Sequence, residues 1–211
     1  MTIREAYLRA ARSAAELLAD PAVAAAWDEP SALAEFRVSG LAGHLGRQVN
    51  RVVELAAAGP SAEAPITLLD HFERSTWVGA QPDDPVSVGV RESGEKDAAG
   101  GPAALAEFIA GQVAALDATF PTLPADLVVA LPWAGWSLTF DDFLVTRLLE
   151  IAVHNDDLAV SVGIDAPAQP DEVLEPVFAL LTKLAVKQHG ATAVLRALSR
   201  AERAPATIAA I

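Results

Sequence analysis

Apolar residues recur every three or four positions in four long segments of this chain. Because an α-helix has 3.6 residues per turn, this spacing places the apolar side chains of each segment along one face of a helix. The segments cover residues 3–18, 39–59, 102–119 and 140–161. We therefore predict a mainly α protein in which four amphipathic helices bury these faces against one another as a four-helix bundle.

Residues with capping preferences stand at the ends of these segments. Thr2 and Glu5 have the spacing of a capping box before the first helix. Pro102 is typical of a first helical turn, and Thr139 is a good N-cap for the fourth helix. Gly163 follows that helix at a position where glycine commonly ends a helix. Capping residues and apolar spacing thus predict the same boundaries.

The segment between the second and third predicted helices is long and rich in helix-breaking residues. Residues 60–101 contain many Pro, Gly, Asp and Glu, and one helix-like piece interrupts them at residues 66–78. Connections of this length are often functional, so this one is a candidate cover for a site. Residues 131–138 are interpreted as an aromatic-rich turn that leads into the fourth helix.

The C-terminal part of the chain predicts shorter elements. A helix is expected over residues 171–188, a shorter helix before Ser199, and a short strand over residues 206–211. We divide the chain into a helical bundle over residues 1–165 and a small C-terminal helical appendage over residues 166–211, packed on the bundle.

Charge and composition exclude several classes of function. The formal net charge of -13 argues against nucleic acid as a partner, because phosphate binding needs clustered Lys and Arg. Gly, Pro and Asp interrupt the apolar runs, and no signal-peptide pattern opens the chain, so we expect a cytoplasmic protein without a membrane partner. No nucleophile elbow, P-loop or dinucleotide fingerprint is present. The chain has no cysteine, so thiol chemistry would need an external thiol.

Ionisable residues interrupt the apolar face of the fourth predicted helix. Glu150 and His154 lie four positions apart, about one turn, and Arg147 and Asp157 fall on the same face. His44 stands on the inward stripe of the second helix. A divalent cation would partner such groups, and imidazole and carboxylate ligands suit zinc, nickel or iron. Spacing alone leaves open an ordinary helix pair and a hydrogen-bonded core histidine.

The remaining candidates are interpreted as structural. His71 follows Asp70 in the connecting segment and is interpreted as a surface histidine, and His189 as a residue that caps a helix end. Gly40 and Gly43 lie inside the second helix, where small residues permit close helix packing. Tryptophans of this kind most often pack loops onto a bundle, and we assign that role to Trp77, Trp133 and Trp136.

Two stretches together resemble the mycothiol-dependent maleylpyruvate isomerase family. The first covers residues 36–45, FRVSGLAGHL, and the second, more specific one covers residues 139–159, TFDDFLVTRLLEIAVHNDDLA. This family belongs to the DinB-like group, whose four-helix bundle binds a divalent metal through one histidine of the second helix and an acid-or-histidine and histidine pair of the fourth. The matching positions are His44, Glu150 and His154.

The resemblance implies a metal-dependent enzyme that uses mycothiol and a small electrophile, as an S-transferase or an isomerase. The resemblance favours zinc as the metal, and it assigns no catalytic residue beyond the three ligands. Arg147 and Asp157 are expected to orient those ligands. The alternative is a non-catalytic bundle that a metal braces and that binds a small ligand or a protein partner. A homodimer is left open.

Overall fold

Four long helices enclose the apolar core of the computed structural model, which describes all 211 residues. These helices are α1 (Ile3–Leu18), α3 (Val38–Ala58), α6 (Pro102–Thr119) and α7 (Phe140–Val162). Both α1 and α3 pack against α6 and against α7, and together the four helices supply most of the buried apolar side chains. The mainly helical bundle predicted from the sequence is confirmed.

Further elements connect and extend the bundle. They are α2 (Pro21–Ala25), α4 (Leu68–Arg74), α5 (Pro85–Asp97), β1 (Val128–Leu131), β2 (Trp136–Thr139), α8 (Asp171–His189) and α9 (Ala191–Ser199). Helix α8 packs on α7 and α1, and α9 packs on α8. The division of the chain at residue 165 stays a prediction.

The predicted helix caps are present in the structure. Thr2 and Glu5 form the complete capping box of α1. The side chain of Thr139 accepts a hydrogen bond from the backbone N–H of Asp142 and so begins α7. Gly163 ends α7 with a left-handed backbone at φ 72°. These caps fix the length of α7, the helix that carries two of the three candidate metal ligands.

Helix α5 corrects the prediction of a connection with a single helical piece. The connection contains two helices, and α5 packs closely on α3. The contact is between backbones: a Cβ atom at Gly94 would overlap the carbonyl oxygen of Gly40, and one at Gly43 would overlap that of Gly94. The interpretation of Gly40 and Gly43 as close-packing residues is therefore correct.

Two further predictions are corrected in the second half of the chain. The aromatic segment is a β-hairpin, since β1 and β2 pair antiparallel with Leu131 opposite Trp136. Residues 206–211 form no strand, because no neighbouring strand offers them hydrogen bonds. His189 does not cap its helix; its Nε2 lies 2.7 Å from the carbonyl oxygen of Ala209 and holds the C-terminal segment.

The segment Pro102–Thr122 is long and apolar enough to span a membrane by length and composition alone. This corrects the expectation that every apolar run is interrupted before it reaches such a length. In the structure α6 packs against α1 and α3 as one helix of the bundle. Its buried stripe consists of Leu105, Ile109, Val113 and Leu116.

Candidate metal centre

Adjacent helices bring the three predicted ligands together. His44 projects from α3, and Glu150 and His154 project from successive turns of α7. One ligand atom from each residue lies within 4.8 Å of the other two, and the two imidazole centroids are 4.7 Å apart. The three side chains are only 13 to 15% exposed, so they meet in a largely dry space between the helices.

A single carboxylate oxygen is shared by both imidazoles. Glu150 Oε2 lies 3.4 Å from His44 Nε2 and 3.4 Å from His154 Nε2. Two ligands of a tetrahedral ion with bonds of about 2.0–2.1 Å are themselves separated by roughly 3.3–3.4 Å. The two nitrogen–oxygen distances have this spacing, and the donor set of two nitrogens and one oxygen suits a divalent metal.

Burial and hydrogen bonding shift the pKa values of Glu150 and His154 in opposite directions. Burial alone would raise the pKa of Glu150, but hydrogen bonds with His154 and His44, and the charge of Arg147, hold it well below its usual range. Burial would lower the pKa of His154, but hydrogen bonds with Asp157 and Glu150 raise it to about 9. Burial lowers the pKa of His44. Without a metal, the centre therefore holds a carboxylate, an imidazolium and a neutral imidazole.

The carboxylate of Asp157 contacts the outer face of this cluster. Asp157 Oδ2 lies 2.9 Å from His154 Nδ1, which leaves His154 Nε2 directed toward Glu150. A carboxylate behind an imidazole fixes its tautomer and orientation, as around many metal-bound histidines. The position of Asp157 is thus the one expected of a residue that orients a ligand.

Arg147 reaches the cluster indirectly. Its buried guanidinium donates hydrogen bonds to the side chains of Gln48 and Thr146, and no hydrogen bond joins it to Glu150. Gln48 in turn donates to the carbonyl oxygen of His44 at 2.8 Å. Gln48 is not among the predicted site residues, although it stands one turn after His44 on the inward stripe. A polar residue at that spacing was the available signal.

The sequence of this chain matches a known protein family. The model of the mycothiol maleylpyruvate isomerase N-terminal domain matches residues 7–159, more than half of the chain. The chain belongs to this family. No curated protein and no solved structure gives a significant match. The match to the family includes α3 and α7 except for the last three residues of α7, and it ends two residues after Asp157.

His71 was interpreted as a surface histidine, and the structure contradicts this. His71 is only 5% exposed, because Trp136 of the β-hairpin packs against it. Trp136 Nε1 donates a hydrogen bond to His71 Nδ1 at 3.1 Å. The remaining proton of the neutral ring is therefore on Nε2. Burial, followed by the charge of Arg147, lowers the pKa of His71 to about 4.

The depressed pKa of His71 predicts a loss of stability in acid. Between pH 6.5 and 4 the unfolded chain binds a proton at His71 and the folded protein does not. The free energy of unfolding therefore falls as the pH falls. We expect His71→Gln to remove about 2 kcal/mol of the stability difference between pH 7 and pH 5, measured by urea unfolding. His189→Gln, which changes a half-buried histidine of α8 that contacts Ala209, is the control. An unchanged pH slope in His71→Gln would contradict the prediction.

Proposed function

We propose that this protein is a metal-dependent enzyme that activates a low-molecular-weight thiol, mycothiol, toward a small electrophile. The observation that carries the proposal is the single Glu150 oxygen 3.4 Å from the Nε2 atoms of both His44 and His154. Zinc suits this donor set, and nickel or iron are the alternatives. Family membership supports mycothiol as the thiol. We propose a cytoplasmic protein that has neither nucleic acid nor a membrane as a partner.

The chain supplies three ligands and no thiol of its own. His44, Glu150 and His154 would hold the metal, and a centre with three protein ligands keeps one position open. A divalent metal there would lower the pKa of a thiol that enters the site. Deprotonating a thiol of pKa about 8.5 at pH 7 costs roughly 2 kcal/mol, which coordination can offset. The absence of cysteine means that this thiol must be a cosubstrate.

The surrounding residues hold the ligands in position. Asp157 fixes the tautomer of His154, and the carbonyl group of His44 is anchored by Gln48, which is itself held by Arg147. The activated thiolate could form a bond to carbon of the electrophile while a leaving group departs, which is S-transfer. It could also add to a conjugated double bond and be eliminated again after rotation, which isomerises that bond and regenerates the thiol. Both reactions need the same activation of the thiol, and both fall within the proposed function.

The test compares thiol conjugation by the wild type, by metal-stripped protein and by His44→Ala. Several electrophiles are used, with mycothiol and with a second thiol. We expect the metal-loaded wild type to accelerate conjugation, and the other two proteins to lose metal and rate together. Equal rates in all three would overturn the enzyme proposal and leave the alternative, a metal-braced bundle without catalysis.

Asp157→Asn is expected to weaken metal binding without removing a ligand. The amide cannot hold His154 as the carboxylate does, and loss of such an orienting partner typically costs about 10- to 100-fold in metal affinity. Asp156→Asn is a matched control, because Asp156 is the exposed neighbour on the same helix. Competition with a chromophoric chelator measures both affinities. Equal affinities would show that Asp157 does not support the centre.

A further inference from the structure

Arg51 is a partly buried cation without an anionic partner. Its guanidinium forms no hydrogen bond and no ion pair in the structure; its Cζ lies over the Trp133 ring, 4.2 Å from the centroid. Five of the 15 Lys and Arg side chains form an ion pair with a carboxylate, and Arg51 is not one of them. Three arginines do pair with an aspartate: Arg4, Arg12 and Arg47.

The surroundings of Arg51 favour an anion. Burial, followed by the charges of Arg147 and Arg47, lowers its pKa to about 10. Glu150 and Glu54 act in the opposite direction but do not restore the ordinary value. A desolvated charge among like charges is costly unless an opposite charge joins it. An anionic ligand would therefore gain from binding here.

The placement of Arg51 links it to the candidate metal centre. Arg51 follows His44 by seven positions, which is about 10 Å along α3 and on the same helix face. Its guanidinium lies over the Trp133 ring and donates no hydrogen bond, so its N–H groups are free for a bidentate acceptor. Trp133 is 46% exposed, so the pair is open to a ligand from solvent.

We propose that Arg51 and Trp133 form a subsite that binds a carboxylate group of the electrophilic substrate. The planar guanidinium of Arg51 matches a carboxylate in shape and charge, and the Trp133 ring lies against one side of the guanidinium. That the bound carboxylate belongs to the substrate rests on the proposed function. The binding of an anion by Arg51 does not depend on the proposed function, because neither Arg51 nor Trp133 is a candidate metal ligand.

The experiment uses benzoate as the probe and benzamide as its neutral analogue, with calorimetric titration of metal-free protein. We expect the wild type to bind benzoate at least about tenfold more tightly than benzamide, since only benzoate pairs with the cation. Arg51→Gln should abolish this preference. Arg51→Lys should retain part of it, because the charge remains and the planar fork is lost. The control is Arg196→Gln, which changes an exposed arginine of α9.

A repeat with His44→Ala separates this proposal from the proposed function. Benzoate binding that persists in His44→Ala, while metal and conjugation are lost, supports the subsite independently of the enzyme reaction. The subsite is overturned if the wild type binds benzoate and benzamide equally, binds neither measurably, or keeps its preference in Arg51→Gln.

Discussion

Glu150→Gln is expected to lose metal binding and, without metal, to be less stable than the wild type. Glu150 supplies the oxygen that both imidazoles share, so the amide removes the one anionic ligand. We expect metal affinity to fall by more than about 100-fold, the upper end of what loss of an orienting residue costs. Chelator competition measures this loss. Glu54→Gln, at an exposed position of α3, is the control.

The stability effect of Glu150→Gln has a separate electrostatic cause. The wild-type carboxylate offsets the charges of the His154 imidazolium and of buried Arg147. Breaking such a pair costs about 3 to 5 kcal/mol when it is fully buried, and we expect about 2 to 3 kcal/mol here because Glu150 retains some exposure. The loss should be larger at pH 6 than at pH 9.5, where His154 has released its proton. A metal-free variant as stable as Glu54→Gln at pH 6 would contradict this account.

The second large effect is expected from Gly94→Ala. The added methyl group would overlap the carbonyl oxygen of Gly40, and a backbone atom cannot rotate away as a side chain can. Helix α5 must then move off α3, which weakens the contacts of Glu95 with Ser39 and of Asp97 with Arg47. Overpacking typically costs about 1 to 3 kcal/mol, and we expect the upper end in urea unfolding.

Gly89→Ala is the matched control on the same helix. No atom lies within 4 Å of a Cβ at Gly89, so alanine should be neutral or should stabilise α5 by up to about 1 kcal/mol. Gly40 lies one turn before His44 on α3, so relief of the overlap should also displace His44, and Gly94→Ala should weaken metal binding. Equal stability of the two variants would show that the close approach of α3 and α5 is not required.

The long helices could be predicted because several local signals agreed in each. Helix α7 has an N-cap at Thr139, a left-handed glycine at Gly163 and apolar spacing between them. Helix α5 was missed because the segment containing Gly89 and Gly94 has little apolar periodicity. Its position depends on a backbone contact with α3, and spacing within one segment does not reveal such a contact.

The three candidate metal ligands could be identified in the sequence because they are ionisable residues on mostly apolar helix faces. Ionisable residues on an inward helix face, such as Glu150 and His154, need a partner that spacing can suggest. His71 was predicted wrongly because its burial depends on Trp136, 65 residues later in the chain. Gln48 was missed because glutamine on an apolar stripe gives no charge signal, although its hydrogen bonds connect Arg147 with His44.

Metal analysis of protein purified without a histidine tag tests the central claim most directly. We predict one divalent metal ion per chain in the wild type and in Glu54→Gln, and almost none in His44→Ala of confirmed helical content. This result would assign metal binding to the cluster of His44, Glu150 and His154. Wild-type protein that contains no metal and takes up none on incubation with zinc, nickel or iron would contradict the claim.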